Sequence, residues 1–187
     1  MAAREPADHA KPAQGVTVDP SLALVSPVLK RLLDYWNAKR GQRPMPARAD
    51  ILPSEIKELL PAIILFDVIE GGRDFRVRLV GSGIRRVMGW GSAGWKTSEA
   101  TDRTAQRIAL ALSGMLNVRK PLRFHVANPI PDAIRHFEVE FLTLPLSSDG
   151  TAIDMALCGC DLLLPDKMGG GSAGNVAGGD PWRAQKT

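Results

Sequence analysis

Cysteine and tyrosine are nearly missing from this chain: it has two cysteines and one tyrosine among 187 residues, and aromatic residues make up only 5%. Cys158 and Cys160 stand one residue apart, where a mutual disulfide is strained and closes no useful loop. A disulfide scaffold is therefore excluded, and a reducing compartment fits. Histidine is equally scarce, and His125 and His136 are the only histidines in the stretch with folded character. Long apolar runs are lacking too: Ile63 to Phe66 and Leu157 to Leu164 fall far short of the ~20 residues that cross a bilayer. The first residues, Met1 to Pro20, carry charge and proline without the apolar stretch of about 7 residues that a secretory signal needs, so a cytoplasmic location is expected. No charge sign dominates, since 24 Lys plus Arg face 20 Asp plus Glu for a net +4, a modest excess that names no anionic partner.

What is present divides the chain in three. Residues 1–25 are rich in Ala, Pro and charge without apolar periodicity, and residues 166–187 open on Gly169, Gly170 and Gly171. Neither end can bury enough apolar surface to offset the entropy of ordering, so both read as flexible tails around one domain at 26–165. No internal repeat is visible.

In the body, Ser26 can cap a helix and Pro27 suits its first position. Val28, Leu29, Leu32, Leu33 and Trp36 then fall on one face before Gly41. Pro53 to Leu60 reads as a short second helix that Pro61 stops. Ile63 to Glu70 and Phe75 to Val80 read as strands joined by Gly71-Gly72-Arg73-Asp74. In the second, Phe75, Val77 and Leu79 alternate with Arg76 and Arg78, predicting one buried face and one wet face. A short helix near Ile84 to Met88 and a longer one from about Asp102 to Val118 follow, then strands at Pro121 to Asn128, His136 to Pro145 and Thr151 to Asp161. Short turns make these last three a meander. The simplest arrangement is α+β: a five-stranded antiparallel sheet with helices over one face and an additional N-terminal amphipathic helix.

Several segments invite a chemical reading. Gly89-Trp90-Gly91-Ser92-Ala93-Gly94 matches the dinucleotide fingerprint, but no strand precedes it and no βαβ unit follows, which favours a plain loop. Cys158 and Cys160 would share a strand face, and zinc would need His125 and His136 as well, so two small strand cysteines are the simpler account. His125 could serve as a haem ligand only if it faced a pocket, whereas it has the parity of Arg123 and opposes Phe124. No flavin-photosensor cysteine motif is recognisable. Arg76, Arg78, Arg85, Arg86, Arg103, Arg107, Arg119 and Arg123 are interspersed with Glu138 and Glu140 and lack interleaved aromatics, so solvated faces are favoured over nucleic-acid binding. Asp67, Glu138, Glu140 and Asp154 lie on predicted strands with mostly outward parity, and no general acid and base pair emerges.

The order of elements, with Leu33-Asp34-Tyr35-Trp36, Arg40-Gly41, Met45-Pro46-Ala47-Arg48-Ala49-Asp50-Ile51, Glu55-Ile56, Leu59-Leu60-Pro61 and Phe75-Arg76-Val77-Arg78-Leu79-Val80-Gly81, resembles a PAS domain, specifically the short single-domain bacterial PAS proteins of alphaproteobacterial type. The resemblance spans roughly residues 26–162, and Gly89-Trp90-Gly91 stands where that family usually shows a polar or charged pair. It implies a non-enzymatic sensory or protein-interaction module whose sheet and lid helices enclose a small pocket. The helix carrying Val28, Leu29, Leu32, Leu33 and Trp36 would serve a homodimer or a signalling partner. The predicted inner set, a subset of which would line the pocket, is Phe66, Val68, Phe75, Val77, Leu79, Ile108, Leu112, Leu122, Phe124, Val139, Phe141, Met155 and Leu157. No cofactor is required by the sequence, and a small apolar ligand is the expected occupant. The alternatives are a haem, flavin or zinc protein on the same fold and a nucleic-acid-binding regulator.

Overall fold

Helix α1 begins where the sequence places a cap. In the computed structural model, which describes residues 16–88, 93–99, 103–127 and 138–163, α1 spans Pro27–Arg40. Ser26 Oγ accepts a hydrogen bond from the Leu29 amide at 3.2 Å, satisfying a donor that no earlier turn can. Gly41 ends the helix at a φ of 55°, which its missing Cβ permits, and its amide donates to the Asn37 carbonyl at 3.3 Å. Lys39 and Arg40 in the last turn complement the helix dipole.

The sheet has six strands, one more than the sequence predicts. They are β1 (Val16–Asp19), β2 (Ile63–Ile69), β3 (Asp74–Val80), β4 (Leu122–Ala127), β5 (Glu138–Leu146) and β6 (Met155–Leu163), antiparallel throughout and ordered β1-β4-β5-β6-β2-β3. The extra strand, β1, comes from the segment read as tail. It is too short to show a pattern of its own and is held by pairing with β4, Val18 opposite Phe124 and Asp19 opposite Arg123. The β4-β5-β6 meander is as expected. Two further helices, α2 (Ser82–Met88) and α3 (Arg103–Val118), stand between β3 and β4 in sequence.

Strand alternation sends side chains to two different covers. Phe66, Phe124, Phe141, Thr143 and Cys158 turn toward α3, where they meet Ile108 and Ala111. Gly159 turns the other way, toward α1: a Cβ built on it would stand 2.5 Å from Leu29 Cδ2 and 2.8 Å from Leu32 Cδ2. Leu29, Leu32 and Trp36 are buried there, and the Trp36 indole donates to the Pro145 carbonyl at 3.0 Å. Full burial of such side chains stabilises by roughly 1.5–3 kcal/mol each. Thus α1 spends its apolar stripe on its own sheet.

Two local readings are corrected. Pro53 to Leu60 is not a helix but 3-10 turns at Pro53–Glu55 and Leu60–Ala62, because a proline at either end leaves too little chain for an α-helix. The turns still bury Ile56 and Leu59 as the apolar pattern requires. Leu79 is 45% exposed rather than core. A β-bulge explains it: Leu65 pairs with Leu79 but its neighbour Phe66 pairs with Val77, so Arg78 is an extra residue and the alternation slips there.

Candidate functional site

The face of the sheet toward α3 encloses a cavity of about 20 Å³ lined by Ile64, Phe66, Arg107, Ile108, Ala111, Phe124, Val126, Phe141, Thr143 and Cys158. Beside Arg107 the wall is apolar, since Thr143 turns its hydroxyl to the Leu122 carbonyl at 3.3 Å. A space of this size holds about one water molecule, and a larger apolar molecule enters only by moving the walls apart. It does not take a tetrapyrrole or an isoalloxazine ring without displacing its walls.

Four residues of the predicted inner set, Phe66, Ile108, Phe124 and Phe141, line this cavity. Phe75, Val77, Leu112, Leu122 and Val139 are buried but are not on its wall, and Val68 is only partly buried. Met155 and Leu157 are buried on the wrong side, with the parity of Gly159 and hence beneath α1. The sequence offered no parity signal for β6, because its first six residues are all buried and both faces are apolar. Ile64, Arg107, Ala111, Val126, Thr143 and Cys158 complete the wall; Ile64, Thr143 and Cys158 stand on strands buried on both faces, where parity gives the same lack of signal.

The opposite face carries a polar cluster that the sequence reading did not find. Glu140, read as outward, is fully buried. Its carboxylate accepts hydrogen bonds from the Val25 amide at 2.9 Å, the Ser26 amide at 2.7 Å and Arg123 Nε at 2.5 Å. Arg123 Nη1 also donates to Asp19 at 3.1 Å, and Ser26 Oγ donates to Asp161 at 2.6 Å. Asp19 in turn accepts from the amides of Ser21 at 2.9 Å and Ala23 at 3.2 Å. The cluster therefore clamps residues 19–26, and with them the start of α1, to strands β4, β5 and β6. Within that clamped segment Leu22 adopts a φ of 56°, an uncommon conformation for a residue with a side chain. A charged residue amid apolar neighbours in β5 was the one available signal, but pairing it with Arg123 requires the register of the two strands.

A second anchoring carboxylate is Asp74. It accepts hydrogen bonds from Thr97 Oγ1 at 2.8 Å, Ser98 Oγ at 2.8 Å and the Ser98 amide at 3.1 Å, fastening the segment that leads into α3. Burial pulls its pKa upward, but the hydrogen bonds from Ser98, Thr97 and the Phe75 amide outweigh it and hold the carboxyl below its ordinary value.

His125 Nε2 lies 2.8 Å from Glu138 on the face away from the cavity, so it can join neither a cavity ligand nor Cys158. His136 and residues 89–92 of the glycine-rich loop lie outside the described residues, while Gly94 and Trp95 exchange backbone hydrogen bonds with Val77 at 2.7 and 2.8 Å. Among the described residues no group of three or more His, Cys, Asp or Glu side chains is placed to hold a metal ion. Arg76 and Arg78 pair with Asp67 at 3.7 and 2.7 Å, and Arg119 donates to the Thr151 carbonyl. The segments that carried the family resemblance form a brace at the end of α1: the Tyr35 hydroxyl donates to Glu55 at 2.7 Å and accepts from the Leu52 amide at 2.9 Å, and Lys39 pairs with Glu55 at 2.6 Å.

Among the described residues no helix is long and apolar enough to cross a membrane. Comparison with curated protein sequences finds no match. Among solved structures, an RNA-binding light-oxygen-voltage receptor is similar at 16% identity and a TM-score of 0.41, over 60% of this chain and 33% of that one, so the chain spans about a third of that receptor's length. Residues 24–160 match the sequence profile of a family described as a PAS domain. With that match over most of its length and an antiparallel sheet of the expected kind, the chain belongs to the PAS domain family, whose members are sensory and signalling modules and generally not catalysts.

Proposed function

We propose that this chain is a non-enzymatic cytoplasmic signalling module that acts by binding, to a second copy or to a partner protein, under the bias of a small apolar molecule in the α3-side cavity. One observation supports it above the rest. Phe124 and Phe141 line the cavity, and the residue before each, Arg123 and Glu140, turns to the other face of the sheet and clamps residues 19–26. A molecule that pushes β4 and β5 apart acts at once on the clamp and on α1 behind it. Such a molecule shifts the equilibrium only by its difference in affinity between the clamped and released forms. Release would turn Leu29, Leu32 and Trp36 outward as an apolar face for a partner, whereas in the docked form the flanking Val28 and Leu33 are half-buried.

The test is amide hydrogen exchange of the full chain with and without benzene as the compact apolar probe, together with sedimentation at several protein concentrations. Exchange at Val25, Ser26 and Leu29 is expected to change severalfold with the probe, and the Phe141→Trp variant, which fills the cavity, is expected to abolish the response. Unchanged exchange at these amides despite saturating probe would refute the coupling. A monomer at every concentration, with and without probe, would leave a partner protein as the only route of output.

A further inference from the structure

Among the described residues that line the α3-side cavity, Arg107 alone carries a charge. It stands four residues before Ala111 on α3, so both side chains lie along the same flank of the helix and both reach the wall. Arg107 is half-buried, as expected of a side chain whose stem packs on an apolar wall while its guanidinium keeps contact with water. No carboxylate shares that wall. Glu140 is on the opposite face of the sheet, where Arg123 and the Val25 and Ser26 amides hold it. The other polar group, the Thr143 hydroxyl, is given to the Leu122 carbonyl.

An apolar space with one cation in its wall selects by charge as well as by size. A neutral hydrocarbon covers the guanidinium without offering it an acceptor, which costs part of its hydration. A cationic molecule is repelled. A carboxylate on a compact apolar body meets both demands, because the planar guanidinium presents paired donors to its two oxygens while the body lies among aromatic rings. A second carboxylate would enter the same wall without a partner. Arg107 is already engaged elsewhere, but five N–H donors let it hold a ligand beside its present contact. We infer that the ligand of this cavity is a compact monocarboxylic acid, bound as its anion with the carboxylate on Arg107 and the apolar body against Phe66, Phe124 and Phe141. The present volume of about 20 Å³ means that the body enters as the walls part, which favours a short body over a long chain. The inference rests on the reading above that the cavity opens for a ligand, and adds the charge which that ligand carries.

The test measures binding of benzoate and of its uncharged isostere benzamide to the full chain, by ligand-observed NMR and amide hydrogen exchange, with benzene as the reference for the cavity reading itself. Benzoate is expected to bind about tenfold more tightly than benzamide at low ionic strength, as charge-assisted hydrogen bonds allow, and to lose that advantage as salt is added. In Arg107→Gln the affinity for benzoate should fall to that for benzamide, and in Phe141→Trp neither should bind. Equal affinities in the unaltered chain, a preference for benzoate that survives Arg107→Gln, or binding that survives Phe141→Trp would overturn the inference. If benzene changes exchange at Val25 and Ser26 while benzoate does not bind, the inference falls and the cavity reading stands; if none of the three binds, both fall. The ratio of benzoate to benzamide affinity on the unaltered chain decides the matter even if a variant fails to fold.

Discussion

Replacing Gly159 with alanine adds a single methyl group at the point where α1 meets the sheet. The backbone there is ordinary strand, so an alanine is not strained by its own dihedrals, and the effect comes from contact alone. The new Cβ would lie 2.5 Å from Leu29 Cδ2 and 2.8 Å from Leu32 Cδ2, both well inside van der Waals contact. Leu29 and Leu32 are buried to 0% and 1% exposure and have no open space to rotate into, so either they leave their preferred rotamers or α1 lifts. Overpacking of this kind costs about 1–3 kcal/mol, and the reduced freedom of the unfolded chain returns about 0.4–1 kcal/mol. The net loss is about 0–2.6 kcal/mol, or up to about 10 °C in Tm for a chain of this length. The sharper assay is a double-mutant cycle with Leu29→Ala, which alone should cost about 2–5 kcal/mol. In the double variant the Gly159→Ala methyl group fills part of the space that Leu29→Ala empties, so the combined loss should fall short of the sum by about 0.5–3 kcal/mol. Additive losses would show that α1 does not pack on β6 in solution.

Removing the clamp carboxylate by Glu140→Ala should cost about 3–5 kcal/mol in chemical denaturation, because it takes the buried carboxylate from Arg123 and leaves the Val25 and Ser26 amides without an acceptor; a loss below about 1 kcal/mol would contradict the burial of Glu140. Asp74 has its folded pKa depressed below 3.8, so its contribution is fully present above that value and is lost as the pH falls through the lower folded pKa; Asp74→Asn should flatten the acid limb of a stability-against-pH curve, and an unchanged limb would contradict the hydrogen bonds from Thr97 and Ser98. Leu79→Ser should change stability by no more than about 0.5 kcal/mol, as expected of an exposed position, whereas Val77→Ala in the same strand should cost more than 1 kcal/mol; equal effects would place the bulge elsewhere.

Much of the fold was legible because its signals are local. Ser26, Pro27 and Gly41 mark both ends of α1, and the spacing of Leu29, Leu32 and Trp36 marks its buried side. The β4-β5-β6 meander followed from apolar runs and turn residues. What failed was whatever depends on register or on distant pairing. Nothing near Val16 says that β4 will accept it as a neighbour, and nothing near Arg78 says that the partner strand will skip it. The cavity was half legible for a related reason. Phe124 and Phe141 announce themselves by size, but in β6, buried on both sides, Leu157 and Cys158 look equally fit for the wall and only the strand's orientation in the folded sheet tells them apart. Glu140 was misread because a strand carboxylate ordinarily faces water, and its burial is offset by three donors, two of them backbone amides of a segment that reads as tail.

Strand β1 also decides where this protein can safely be cut. It is the neighbour that occupies the outer margin of β4, just as residues Gly94 and Trp95 occupy the outer margin of β3. The family match starts at residue 24, after β1 and after Asp19, so a fragment trimmed to that boundary would bare a row of β4 amides and carbonyls and leave Arg123 with one carboxylate partner rather than two. Bare strand margins recruit other chains. The short run from Val16 to Asp19 therefore acts as a guard against aggregation, and a preparation that omits it should be judged by its tendency to self-associate before its signalling is judged at all.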